Sequence, residues 1–326
     1  MFPDRVMLGS ENFPREIGYR WPLVEKLPYV IGDFTWTAWD YLGEAGIGKT
    51  LYLEPDDPRA LEGPWTIMPP TTSFYPWRTA NDADIDITGK IMPQGQYRSI
   101  VWGNKDTFIY SKHPDTFGKA ERSSLWGFPY VYKNWNYEGY ENHPIELTAF
   151  SNADEVEVLV NGKSLGKKPV SKEYPWPNTA SFETVYVPGE VVAISYKSGK
   201  EVSRDTLKTT KKAAKLSMTC NKKAMASDGH DLIYVDIFAE DEDGMVVPNA
   251  EISLKATLSG NALLAGFGSA NPITDEDYSD NETTTYRGHA QAVIRSGYEA
   301  GEVVLTIVAD ALKVKTEIKL NVEDRK

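Results

Sequence analysis

The pattern of apolar residues changes once along this 326-residue chain, and the change limits the folds open to it. Near the amino terminus, Val6-Met7-Leu8-Gly9 and Tyr29-Val30-Ile31-Gly32-Asp33-Phe34-Thr35-Trp36 are contiguous apolar-rich runs, as expected of strands covered on both faces. From Ile145 onward the runs alternate instead: Ile145-Glu146-Leu147-Thr148-Ala149-Phe150 and Glu155-Val156-Glu157-Val158-Leu159-Val160 place every second side chain on one face. An α/β part followed by an all-β part satisfies both patterns.

Between the first two runs, Pro14 suits the first turn of a helix, and Ile17, Trp21, Val24 and Leu27 follow at helical spacing. Pro22 should bend this helix and Pro28 stops it. Strand, helix and strand with short connections read as a parallel βα unit. A long segment rich in Pro, Gly and Trp then runs to about Thr88, and a helix is predicted from Pro93 to Trp102. Long loops after the carboxyl ends of strands are where α/β barrels keep their chemistry.

In the all-β part, Asn161-Gly162 supplies positive φ for a tight hairpin, with strands also expected at Phe182 to Val187 and Val191 to Tyr196. The style repeats at Leu232 to Phe238, Ile252 to Leu258, Ala290 to Ile294, Val303 to Val308 and Val314 to Leu320. The expected organisation is 1–122, an α/β segment; 123–210, a β-sandwich; and 211–326, a second β-sandwich.

Composition removes several function classes. A net charge of −12 opposes nonspecific attachment to nucleic acid. Lys208, Lys211, Lys212 and Lys215 read as a solvated linker between the β segments. The single cysteine, Cys220, excludes an intrachain disulfide and reads as an inert thiol. His113, His143, His230 and His289 are too scattered for a metal centre, and Gly43 to Gly48 fits neither a phosphate loop nor a dinucleotide fingerprint. No apolar run reaches the roughly 20 residues of a membrane span. Met1-Phe2-Pro3-Asp4-Arg5 lacks a signal-peptide core and leads abruptly into a strand, which looks truncated; the compartment is left open.

Eight of the nine tryptophans lie between Trp21 and Trp135, which sets the first segment apart. Indole rings suit sugar sites, where a flat apolar face and a hydrogen-bonding edge are both useful. The first apolar run ends in Ser10-Glu11-Asn12 and the second in Phe34-Thr35-Trp36, so a parallel pair would set a carboxylate and an indole at one rim. On spacing alone, a Glu after a strand is more often an ion-pair or capping residue.

Gly9-Ser10-Glu11-Asn12-Phe13-Pro14, with the stretch from Tyr29 through Trp36-Thr37-Ala38-Trp39-Asp40-Tyr41-Leu42-Gly43-Glu44 to Gly46, resembles the end of the catalytic barrel of glycoside hydrolase family 2, particularly its β-galactosidases. Glu155 to Gly166 is similar to a sandwich signature of a bacterial subgroup, and Tyr286-Arg287-Gly288 to Arg295 to a stretch of its last domain. The resemblance implies a multidomain α/β plus all-β chain: a partial TIM-barrel end, the seventh and eighth βα units, followed by two immunoglobulin-like β-sandwich domains. It implies that Glu11 is the nucleophile of a retaining β-galactosidase and that Trp36 lies beneath the bound sugar. Trp39, Asp40, Tyr41 and Glu44 follow as candidate sugar contacts, and Asp84 and Asp86 as weaker ones, because Asp84-Ile85-Asp86-Ile87 also reads as an exposed short strand.

The family's acid/base Asn-Glu pair has no counterpart before Glu11, and Glu141-Asn142 reverses the order. The chain alone is therefore expected to be inactive, its partners being a β-linked galactoside and missing amino-terminal domains of the same enzyme. No cofactor is identifiable, although some β-galactosidases of the family use magnesium and sodium. Nucleic acid and membrane are not expected partners, and a homo-oligomer is compatible with the reading. The alternatives are a β-glucuronidase or β-mannosidase of the same family, or a noncatalytic glycan-binding or structural β-sandwich protein.

Overall fold

The computed structural model describes residues 4–60, 73–173 and 175–324; part of the long loop before Thr88 therefore lies outside the described residues. The chain forms two compact units, Met1–Thr209 and Thr210–Lys326.

The first unit begins with β1 (Met7–Asn12), α1 (Ile17–Lys26) and β2 (Val30–Thr35). A 3-10 turn at Pro14–Glu16 leads into α1, and Leu27, in extended conformation ahead of Pro28, ends it. Pro22 lies inside α1, which continues through it. The strands pair in parallel, with Gly9 opposite Asp33 and Asn12 opposite Thr35. This strand–helix–strand unit is as the sequence predicts.

There follow β3 (Thr50–Leu53), α2 (Pro93–Val101), β4 (Thr107–Ser111), β5 (Ala120–Ser123), β6 (Pro144–Ser151), β7 (Glu155–Val160), β8 (Lys163–Pro169), β9 (Thr179–Val185), β10 (Glu190–Lys197) and β11 (Lys200–Lys208). One sheet has the order β4-β6-β9 and the other β11-β10-β7-β8. Their inward-facing residues, among them Ile145, Leu147, Val156, Val158, Phe182 and Val191, share one core with Trp135. Alternation in the sequence becomes alternation of burial along β6, β7 and β10. The β7–β8 turn carries Asn161 at φ 49° and Gly162 at φ 78°, the positive values that a two-residue hairpin demands.

The first sandwich takes strand β4 from Thr107–Ser111, upstream of residue 123. A second cluster explains why. Ile17 of α1, Tyr97 and Ile100 of α2, Tyr110 of β4, Phe128 and Phe150 of β6 pack together, so the helices and this sheet are built on shared apolar contacts.

The second unit contains β12 (Lys215–Cys220), β13 (Ala224–Ala226), β14 (Leu232–Glu240), β15 (Ser253–Ser259), β16 (Ala262–Gly268), β17 (Glu282–Thr284), β18 (His289–Ser296), β19 (Gly301–Ala309) and β20 (Val314–Glu323). Sheets β12-β14-β18-β16 and β13-β20-β19-β15-β17 enclose a core of residues such as Ile233, Val235, Ile237, Leu305, Ile307 and Leu320. Part of the expected lysine linker is structured: Lys208 ends β11 and pairs with Glu190 at 2.9 Å, while Lys211 pairs with Asp243 at 3.1 Å.

Candidate active site

Parallel pairing brings the carboxyl ends of β1 and β2 together. Asn12 lies opposite Thr35, and the backbone N–H of Trp36 donates to the carbonyl of Asn12 at 3.0 Å. Glu11 is thus one residue before the end of β1 and Trp36 one residue after the end of β2, at the same rim. Glu11 is exposed, whereas Asn12, pointing the other way along the strand, is buried. The Trp36 indole is 41% exposed, enough to offer a ring to a ligand. Its peptide bond to Thr37 is cis.

The loop after β2 holds that ring. The Trp36 indole N–H donates to the hydroxyl of Tyr41 at 3.2 Å, and this hydroxyl donates in turn to Glu44. Tyr41 meets Trp36 edge to face at 6.4 Å between centroids. Burial, reinforced by the Glu44 carboxylate, pushes the Tyr41 phenol above its ordinary value, so it stays a donor at any working pH. Both residues therefore have a local occupation, and Glu44 stands at φ 43°, where few side-chain-bearing residues are found. Trp39 is 55% exposed and lies alongside Ile85 in a parallel bridge.

Asp40 is buried, its carboxylate accepting the backbone N–H of Asn81 at 2.9 Å, and burial raises its pKa. It binds one loop to another rather than facing solvent. Asp82 is fully buried and neither carboxylate oxygen has a hydrogen-bond partner among the described residues. Burial, then the nearby charge of Asp40, with Glu44 and Asp84 contributing further, lifts its pKa to about 7.

The expected exposed strand at Asp84-Ile85-Asp86-Ile87 does not form. Asp84 is buried and paired with Arg98 of α2, because α2 brings a guanidinium beneath it. Asp86 is spent on a turn, its Oδ1 accepting the Thr88 and Lys90 backbone N–H groups at 2.9 and 3.1 Å.

Nothing in the local sequence around Trp126 marks it as a site residue. It lies after β5, and its indole N–H donates to Glu11 Oε1 at 3.2 Å. Only the crowding of tryptophan in this segment signals it in the sequence. Among the described residues no group of three or more His, Cys, Asp or Glu side chains is arranged to hold a metal ion. No helix among the described residues is long and apolar enough to cross a membrane.

Residues 216–317 match the domain family described as glycoside hydrolase family 2 C-terminal domain 5, and residues 142–203 match a domain family of unknown function. A β-galactosidase of Bacteroides ovatus, BoGH2A, is 26% identical over 93% of this chain, which spans 30% of that protein. The crystal structure of a glycosyl hydrolase family 2 member from Bacteroides cellulosilyticus superposes with a TM-score of 0.85 at 31% identity, covering 99% of this chain and 40% of that one. Along nearly its whole length the chain resembles the carboxy-terminal part of a β-galactosidase-like glycoside hydrolase family 2 enzyme. A putative β-glucuronidase of Formosa agariphila is 24% identical over 89% of the chain, which spans 24% of that protein. The chain therefore spans well under half the length of these family 2 relatives, and the β-sandwiches are the part that the domain families match.

Proposed function

We propose that this chain contributes the nucleophile and the sugar platform of a retaining β-glycosidase acting on neutral sugars, most simply a β-galactoside. The observation that carries the proposal is the adjacency of exposed Glu11 and half-exposed Trp36 at one end of the parallel β1–β2 pair. A retaining glycosidase needs a carboxylate to attack the anomeric carbon and a second carboxyl group about 5 Å away as acid and then base. In this reading β1 and β2 are the seventh and eighth strands of a (β/α)8 barrel, and the acid/base carboxyl comes from outside this chain.

Two features support the barrel. A two-stranded parallel sheet is not stable alone, because parallel sheets are ordinarily covered on both faces. Here Met7, Leu8, Ile31 and Phe34 on β1 and β2 are each about half exposed or more, at 56%, 49%, 66% and 61%. Buried Asn12 Nδ2 and both Asp33 carboxylate oxygens also lack hydrogen-bond partners among the described residues, as expected of a face that further polar groups complete. On this reading the chain alone has negligible turnover.

A neutral sugar is favoured by charge. Glu44 is an exposed carboxylate joined to Trp36 through the Tyr41 hydroxyl, and a uronide carboxylate seated on that ring would meet repulsion there. A panel of nitrophenyl β-galactoside, β-glucuronide and β-mannoside, offered to the enzyme that carries this chain, tests the specificity. Preference for the galactoside by at least about tenfold in kcat/KM is expected; preference for the glucuronide contradicts the charge reading.

A further inference from the structure

Glu11 is held by a residue 115 positions further along the chain. The indole N–H of Trp126 donates to Glu11 Oε1 at 3.2 Å. Its ring is set by Phe13, two residues beyond Glu11, which it meets edge to face at 5.2 Å and 72°. The turn carrying Trp126 is firmly built. The Ser123 and Thr50 hydroxyls hydrogen-bond at 2.6 Å, the Ser124 hydroxyl donates to the carbonyl of Ile47, and Arg15 donates to the carbonyl of Ser124 at 3.4 Å. Ser124 is buried, and Gly127 fits only because it has no side chain: a Cβ there would lie 2.6 Å from Ser123 Oγ and 3.1 Å from the carbonyl oxygen of Lys49. The backbone on both sides of Trp126 is thus fixed to β3, to the loop before β3 and to the turn that follows β1.

We propose that Trp126 is a positioning residue for Glu11, tethering Oε1 so that Oε2 is the atom that attacks an anomeric carbon. The inference rests on the reading of Glu11 as nucleophile. In the first half-reaction a lone pair of Oε2 forms the bond to the anomeric carbon. The bond to the leaving oxygen breaks, and that oxygen takes a proton from a carboxylic acid elsewhere in the enzyme. Oε1 becomes the ester carbonyl oxygen, with the indole N–H still aimed at it. In the second half, water attacks the anomeric carbon and gives a proton to the same carboxyl group. The electron pair of the carbon–Oε2 bond returns to Glu11, where the indole again meets a full carboxylate. An indole is donor only and does not titrate at working pH, so the tether persists throughout. The two tryptophans divide the work: the N–H of Trp36 is committed to Tyr41, and that of Trp126 to Glu11.

Trp126→Phe keeps a ring against Phe13 and deletes the donor. In the enzyme carrying this chain it should lower kcat about 10- to 100-fold, the range of one hydrogen bond to a charged group, with KM changed less than about threefold. Trp126→His, which restores a ring N–H, should recover part of the loss. Glu11→Gln, measured in parallel, separates the two readings. Wild-type turnover in Glu11→Gln would remove the nucleophile assignment and the proposal with it. An inactive Glu11→Gln beside an unimpaired Trp126→Phe would overturn the positioning role alone. Should Trp126→Phe fail to fold, a second readout remains: in the enzyme carrying this chain, labelled with 15N-indole tryptophan, the Trp126 indole proton should move upfield on Glu11→Gln, a change at an exposed side chain, and an unmoved resonance overturns the proposal.

Discussion

At the scale of single residues, the loop after β2 shows that polar side chains near a site differ in what they have left to offer. Tyr41 accepts from Trp36 and donates to Glu44, and Asp40 is committed to Asn81, so these side chains are engaged in holding the loop together. Asp82 is the opposite case, a buried carboxyl without a partner among the described residues. Its folded-state pKa of about 7 stands above the ordinary 3.8, so between those values the folded state holds a proton that the unfolded chain has released. Stability from this group is therefore greatest below about pH 4, falls as pH rises to about 7, and is then level, a loss of roughly a few kcal/mol at most. Asp82→Asn abolishes the titration. Urea unfolding of this chain should show the variant gaining on the wild type between about pH 4.5 and about pH 8, and parallel stability curves would contradict the assignment. Sequence could name Asp82's neighbours but not their burial: Asp84 and Asp86 look alike in an alternating run, and only the arrival of Arg98 from α2 separates an ion-paired core residue from a turn residue.

Among elements, legibility follows periodicity. The alternating runs at β6, β7, β14 and β19 carry their burial in the sequence; the contiguous runs at β1 and β2 form strands at the expected places, but in this chain they are not covered on both faces, and Met7, Leu8, Ile31 and Phe34 stand exposed. Short or glycine-rich strands such as β3, β5 and β16 carry no such signal, since their partners are distant: β3 and β5 pair Thr50 with Ser123. For the same reason the turn after β5 was unreadable, although it delivers Trp126 to Glu11. Its close approach to β3 makes a definite demand at Gly127. Gly127→Ala should destabilise this chain by about 1–3 kcal/mol through overpacking against the Ser123 hydroxyl and the Lys49 and Gly48 carbonyls. It should also alter the Trp126 indole resonance; denaturant midpoints and the spectrum check both, and an unchanged pair would show that the turn has slack.

For the molecule as a whole, two β-sandwiches with separate cores account for most of the chain, while the chemistry proposed for it lies at the rim of one βα unit in the first compact unit. Nothing in the periodicity of the sandwiches could have pointed to sugar chemistry; that came from the Glu11 and Trp36 motifs through their family resemblance. The central claim is that Glu11 forms a covalent bond to the sugar. An activated 2-fluoro-galactoside, which stalls a retaining enzyme at the glycosyl-enzyme stage, should add one sugar mass to the peptide containing Glu11 when the enzyme carrying this chain is digested and weighed. A label on a different carboxylate, with the Glu11 peptide unmodified in an enzyme that hydrolyses galactosides, would contradict the account.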